Sequence, residues 1–457
     1  MRLDFSNLSL KNRAFSERPL TFIDPDAKNA LSLIMDIAAI ETGNRTAREY
    51  WQKKQIQNLA AQIAQRSAFW KQRINIKKAS DVKLSDFPVQ TRSDVIAQFK
   101  NEGPLIRPED RIELEKHSTS GSSGTPVTFY LTNHNIRYNL TRGMAQYFME
   151  DRDLSLNRTR GVAGKISSAK GIEVIRSEGW MDPLKPLIRT GASKSITYHS
   201  PDISELCKEL ESDAIGYLVA QPRIIETVMQ ATGQEFFRAA GTAMVIAIAE
   251  TADAKLRADF ASVNIPVRAN YSCEEFGMIA SECENVPGSF HVATSNVVVE
   301  VEKLPAAAAD GMSVGRVLVT HLHSYATPFI RYDIGDIASL SDTCPCGHDG
   351  PALSNIHGRK KSMLKHRDGR LSIFYIRGKD MTAVAPFDEY RIRQTGFDKI
   401  VVEIGGRDAL TPDEKAAFTA LIKHHAGVHF DVDVVPTPRI DWGASVKRLG
   451  FINEILE

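Results

Sequence analysis

Between residues 159 and 300, short apolar, strand-like runs alternate with helical runs. Ala214–Val219 precedes a helical stretch at 222–231, and Ala243–Ala249 precedes another at 252–260. Strands spaced by helices in this way are buried by stacking the helices on a sheet, so the pattern predicts α/β layers rather than a helical bundle. Val297-Val298-Val299 and Val317-Leu318-Val319 then read as strands flanking an Ala/Gly-containing loop at 304–314. The last hundred residues change character. Lys399–Ile404 reads as a strand closed by Gly405-Gly406, Thr411-Pro412-Asp413-Glu414 as a capped helix start, and Phe430–Val435 as a returning strand. A small β-α-β module therefore follows the main body. With 457 residues the chain exceeds one ordinary domain and buries a large core. Upstream, Ala30–Ile40 reads as a buried helix, and Thr46-Ala47-Arg48-Glu49 as the capping box of a long helix.

Ser118-Thr119-Ser120-Gly121-Ser122-Ser123-Gly124-Thr125-Pro126 holds no large apolar side chain and runs into the strand-like Val127–Leu131. Two readings fit it: a flexible Ser/Gly linker, or a turn whose successive N–H groups form a concavity for an anion such as a phosphate chain. No Gly-Lys-Ser/Thr closes it, so it is not a Walker loop. Tyr271-Ser272-Cys273-Glu274-Glu275 is the second constellation. An aromatic ring stacks on a purine, and a carboxylate four residues on suits magnesium; a core tyrosine before a surface acidic pair is the plainer alternative. The third is Thr327-Pro328-Phe329-Ile330-Arg331-Tyr332-Asp333-Ile334-Gly335-Asp336. Its Gly turn presents an aspartate whose two oxygens can accept both hydroxyls of a ribose. Gly358-Arg359-Lys360-Lys361-Ser362 follows.

These four motifs, in this order across residues 118–362, resemble those of the adenylate-forming enzymes (acyl-CoA synthetases, adenylation domains, luciferases). Cys344-Pro345-Cys346-Gly347, Phe69-Trp70 and Phe87-Pro88-Val89 are similar to the phenylacetate–CoA ligase branch. The resemblance implies a large N-terminal AMP-binding body, residues 1–360, and a small α+β lid, residues 361–457, hinged near Lys361. It places ATP or AMP on Ser120, Gly121, Ser122, Ser123, Gly124, Thr125, Tyr271, Ser272, Asp336 and Arg359. Glu275 becomes the Mg2+ ligand and a catalytic residue. Ser272 and Glu274 depart from the family's Gly and hydroxyl residue, and Ala249 replaces the glycine of the Gly-Glu turn ending at Glu250. The family's C-terminal catalytic lysine aligns, on Gly443, with Ala444; a shift of three residues brings Lys447 into its place.

The implied activity is ATP-dependent ligation of an aromatic carboxylic acid to CoA through an acyl-adenylate. The alternatives are transfer to a carrier-protein phosphopantetheine or an amine, and a non-catalytic descendant that binds nucleotide and zinc. Tyr217 and the Ala220-Gln221-Pro222 turn are pocket-wall residues in this reading. Cys283, His291, Cys344 and Cys346 offer three thiolates and an imidazole, with His348 as another nitrogen ligand. Cys-x-Cys suits chelation better than an internal disulfide, and four protein ligands would close the shell of a structural Zn2+.

Lys+Arg 57 against Asp+Glu 56 leaves almost no net charge, which argues against a nucleic-acid or anionic-membrane partner. Five cysteines are too few for a disulfide framework in a chain this long, and no apolar run approaches a membrane span. The expectation is a cytoplasmic enzyme forming a homodimer.

Overall fold

The computed structural model describes residues 14–15, 25–119, 127–163, 171–199, 203–250, 252, 254–303, 314–356, 363–369, 371–374, 376, 378–387, 389–441 and 451–455. Its centre is a sheet that changes character along its width. Five strands, Val267–Cys273, Thr242–Ala247, Gly216–Ala220, Arg158–Ala163 and Ser193–Tyr198, lie side by side and parallel. Ile172–Ser177 closes that edge antiparallel. On the other side of Val267–Cys273 every pairing is antiparallel, through Gly277–Glu282, Phe290–Val292, Ala352–Ser354, Tyr332–Ser341, Gly315–His321 and Val297–Lys303.

The parallel strands are covered on both faces, as parallel sheets must be to bury their apolar runs. Leu218, Ala220, Val245, Ala247, Val267 and Ala269 pack against the helices that begin at Ile203, Pro222, Glu235 and Ala254. The alternating residues Tyr217, Val219 and Ile246 face the helices Pro25–Glu41 and Asn133–Met149. This period-two division yields the helix–sheet–helix layering expected from the sequence. The expected helices at 222–231 and 252–260 are Pro222–Thr232 and Ala254–Ser262, and the strand at 243–249 is Thr242–Ala247.

One expectation is overturned. The long helix Arg45–Arg66 is capped by Asn44 and not by Thr46: the Asn44 carboxamide oxygen accepts from the amides of Thr46 and Ala47. Asn is as good an N-cap as Thr, and here it stands first in the chain. Tyr217, expected in a pocket wall, is buried; it stands second in its strand and packs edge-on to Tyr147 and Trp180, at 5.2 and 5.6 Å between ring centroids.

Residues from 363 onward build their own core. Phe418 and Ile422 of the helix Pro412–Ala426 pack on Ile392, Ile400, Val402 and Ile404, and every member of this cluster lies between Leu364 and Phe451. The β-α-β unit Lys399–Gly405, Pro412–Ala426, Asp431–Thr437 is present with parallel strands and the Thr411/Glu414 capping box. The strands Glu389–Gly396 and Phe451–Asn453 complete a four-stranded sheet. Among the described residues, no helix is long and apolar enough to cross a membrane.

Candidate functional site

Val267–Cys273 is the strand at which the sheet turns from parallel to antiparallel, and its carboxyl end carries the second motif. In open parallel sheets ligands bind outside those ends, where the connectivity changes direction. The strand pairs Tyr271 with Ala280, then slips register before Ser272. Cys273 pairs with Gly277, so Glu274, Glu275 and Phe276 form the tip of a tight hairpin. Gly277 sits at φ +65°, a conformation that favours glycine, and a Cβ there would lie 2.6 Å from the Asn139 side-chain oxygen and displace that side chain. Phe276 is fully buried against Phe329, 5.4 Å between centroids, and the Asn296 amide donates to the carbonyls of Phe276 and Met278 at 2.7 and 2.9 Å. The tip is thereby held, and Glu275 stands on it, mostly buried. The thiol of Cys273 donates to the Glu275 carboxylate; burial, then that carboxylate, pushes the thiol pKa up.

The third motif supplies the facing wall. In the pairing with Gly315–His321, Leu318 matches Asp333 and Arg316 matches Ile337. Ile334, Gly335 and Asp336 therefore stand opposite the single residue Val317, a bulge that re-aims a side chain. Gly335 takes φ +83° and donates its amide to Asp333 Oδ1 at 2.9 Å. The result is that Tyr271 Oη donates to Asp336 Oδ2 at 2.6 Å across 65 residues of sequence. The two groups expected to meet the base and the sugar are thus brought together, with Glu275 four residues beyond Tyr271 and Ser272 exposed between them.

The motif's arginine has a different task. Arg331, at φ +48°, pairs with Glu300 at 2.9 Å and donates to the Phe87 carbonyl at 2.9 Å, fastening the N-terminal segment to the sheet. The Ser/Gly loop is an interruption of the hairpin Leu114–Ser118 and Thr128–Thr132. Its neck is closed by Thr119 N–H to the Val127 carbonyl and Val127 N–H to Thr119 Oγ1, both 3.0 Å. Tyr130 N–H donates to Thr327 Oγ1 at 3.0 Å, which ties this hairpin to the third motif. Ser120, Gly121, Ser122, Ser123, Gly124 and Thr125 lie outside the described residues, as do Arg359, Lys361, Ala444 and Lys447. Ala249 adopts φ +64°, the left-handed conformation for which glycine is the usual residue, and Glu250 accepts from the amide of Arg223 in the first turn of its helix.

The cysteine set also converges. Cys283 follows Gly277–Glu282, His291 lies on Phe290–Val292, and Cys344 and Cys346 flank a turn closed by Gly347 N–H to the Cys344 carbonyl at 3.0 Å. The four ligand atoms lie within 4.8 Å of one another, with Cys346 Sγ 3.3 Å from His291 Nε2. Thiolates around a tetrahedral zinc with bonds of about 2.3 Å stand roughly 3.8 Å apart, so the set fits one ion after small adjustment. His348 stacks on His291 at 4.3 Å instead of joining the four. The adjacent Glu282 fixes the loop: it pairs with Arg257 at 3.0 Å and accepts from the amides of Ala269 and Gly288 at 2.8 Å.

Gln90 and Asn296, which belong to none of the sequence motifs, are both buried and both serve main-chain groups of the motifs. A polar residue beside an apolar run was the only visible trace of either.

No protein-family model matches the chain. Protein CapK of Staphylococcus aureus is 24% identical over 308 residues, 65% of this chain and 64% of that protein, so the chain spans just under two thirds of that relative's length. The crystal structure of 2-hydroxyisobutyryl-CoA ligase in the postadenylation state with 2-HIB-AMP superposes with a TM-score of 0.64 at 16% identity, covering 91% of each chain. The same ligase with 2-HIB-AMP and CoA in the thioesterification state gives 0.55 at 17% identity, over 91% of this chain and 92% of that one. Sheet, flanking helices and C-terminal module together have the fold of the adenylate-forming ligases.

Proposed function

We propose that this protein activates a carboxylic acid with ATP as an acyl-adenylate and transfers the acyl group to CoA. The carrying observation is the Tyr271–Asp336 contact, which joins two distant motifs at the carboxyl end of the parallel strands, beside Glu275. In this reading the adenine stacks on Tyr271, Asp336 accepts from the ribose hydroxyls, and the loop 120–125 cradles the phosphates with its N–H groups. Arg359 meets the ribose or a phosphate. The substrate carboxylate attacks the α-phosphorus, the bond to the β-phosphate breaks, and pyrophosphate leaves. Glu275 would hold Mg2+; its carboxylate is engaged by a thiol, a weak donor, and keeps acceptor capacity for a hard cation. When bound, the ion offsets the repulsion between two approaching anions. Lys447 is assigned to the developing charge, and the segment at Lys361 to a rotation of residues 361–457 that admits the thiol. The thiolate then attacks the acyl carbon and AMP leaves.

The solved ligase with both an acyl-adenylate and CoA supports this two-step reading. Its 2-hydroxyisobutyryl group is a small branched acid, whereas the Cys-x-Cys-Gly resemblance points to aromatic acids, so both classes belong in the test. We assign the Cys283, His291, Cys344, Cys346 set to a structural zinc, since its four ligands leave no open position.

Isotope exchange between pyrophosphate and ATP, run with aromatic and small aliphatic acids, tests the first step. CoA, a phosphopantetheinylated carrier protein and simple amines are then compared as acceptors. Acid-dependent exchange and a CoA thioester are expected. Ala444 in the lysine position favours one other reading, a nucleotide-binding protein without turnover. AMP binding with no exchange for any acid would support it.

A further inference from the structure

Gln90 is wholly buried, one residue before Thr91, the N-cap of the helix Arg92–Glu102. Each of its polar groups is directed at the third motif. Its amide donates to the Arg331 carbonyl at 3.1 Å, and its carbonyl accepts from the Asp333 amide at 2.9 Å, an isolated parallel bridge across Tyr332. Its side-chain Oε1 accepts from the Ile330 amide at 3.1 Å, and Nε2 donates to the Pro328 carbonyl at 3.2 Å. Gln98, the other polar side chain in reach, stands 3.4 Å away. One residue thus serves main-chain groups of 328, 330, 331 and 333, in a stretch where Phe329 and Ile330 are buried and Arg331 departs from strand geometry. Buried main-chain groups left without such partners are costly, so the contacts define the path of the chain.

That path leads to the sugar-binding position. The Gln90 side chain fixes residues 328 and 330 and its main-chain carbonyl the Asp333 amide, Asp333 Oδ1 holds the Gly335 amide, and Gly335 delivers Asp336 to Tyr271. We propose that Gln90 is a positioning residue for the nucleotide's ribose, acting through Asp336; this rests on the reading that Asp336 receives the sugar hydroxyls. Gln90 touches no substrate. It sets the rotation of the 333–336 bulge and so the direction of the carboxylate.

The test measures AMP and 3′-deoxy-AMP binding to the full chain by calorimetry, beside a circular-dichroism melt of each variant. The wild type should prefer AMP by about tenfold or more, the discrimination expected of a hydrogen bond to a charged group. Asp336→Ala should abolish the preference. Gln90→Met keeps the bulk and the main-chain bridge but removes all three side-chain bonds, to Ile330, Pro328 and Gln98, and should shrink the preference to about a third or less. Gln90→Glu retains the acceptor for Ile330 and loses the donor to Pro328, so its preference should fall between the two; it is also the arm that decides if the Met variant does not fold. Loss of folded protein alone lowers apparent binding of both nucleotides together and leaves their ratio intact. A folded Gln90 variant with the wild-type ratio, alongside an Asp336→Ala that has lost it, overturns the role of Gln90 and spares the ribose reading. An unchanged ratio in Asp336→Ala overturns both.

Discussion

On the proposed reading Tyr271 carries two separable contributions, a ring face for the base and the hydroxyl that holds Asp336. Tyr271→Phe retains the first, so AMP affinity measured by calorimetry should change by less than about fivefold. Tyr271→Ala loses the stacking surface and should cost about 1–3 kcal/mol of binding. Ala249 makes a different prediction. It sits at φ +64°, where an L-residue is strained and glycine is not. Ala249→Gly should raise the urea midpoint by the equivalent of up to about 1 kcal/mol, less the entropy a new glycine adds to the unfolded chain. Tyr271, Glu275 and Asp336 stood out in the sequence because they hold fixed places in ordered motifs, and the fold brings Tyr271 and Asp336 into contact. Gln90 was not legible, since its partners lie 238 and 240 residues away and any buried donor–acceptor would read alike in sequence.

At the scale of elements, the end of the strand Gly315–His321 buries a set of rings. His323 lies 4.2 Å from the Tyr138 ring and 5.6 Å from His134, its Nε2 is 2.9 Å from the Ser295 carbonyl, and His321 is wholly enclosed. Burial pushes the His321 pKa down to about 3 and the His323 pKa down to about 4. Both are therefore neutral in the folded chain, while the unfolded chain takes up protons below about pH 6.5. Their contribution to stability is intact above pH 6.5 and drains away as the pH falls toward 4. At pH 5 the loss from His323 is about 2 kcal/mol, and His323→Gln should show a correspondingly smaller difference in urea midpoint between pH 7 and pH 5. The cysteine set gives the second prediction here. Elemental analysis should find one zinc per chain, and Cys344→Ser should lose the metal and melt earlier. The strands, the alternation of faces and the Thr411 cap could be read from local pattern. The bulge at 334–336 and the hairpin tip at 274–276 could not, because a register slip is decided by what stands across the sheet.

Across the molecule the apolar clusters are divided, and among the described residues the one between Leu364 and Phe451 draws on no earlier residue. Calorimetry should accordingly resolve two unfolding steps. AMP at a hundredfold excess over its Kd should stabilise the step belonging to the large part by about 2.7 kcal/mol and leave the other in place. The layered architecture was visible from the strand–helix alternation, whereas the ordering of strands in the antiparallel half was not, since Ala352–Ser354 inserts between its predecessor Tyr332–Ser341 and the distant Phe290–Val292. The bridge from Gln90 to residues 328–333 has a further consequence, for biosynthesis. A ribosome adding roughly 5–20 residues per second needs about 12 to 48 seconds to travel from one side of that bridge to the other. Throughout that interval the emerging polypeptide lacks the segment its glutamine will hold, and Gln90 must wait, solvated or chaperoned, for its partners to leave the exit tunnel.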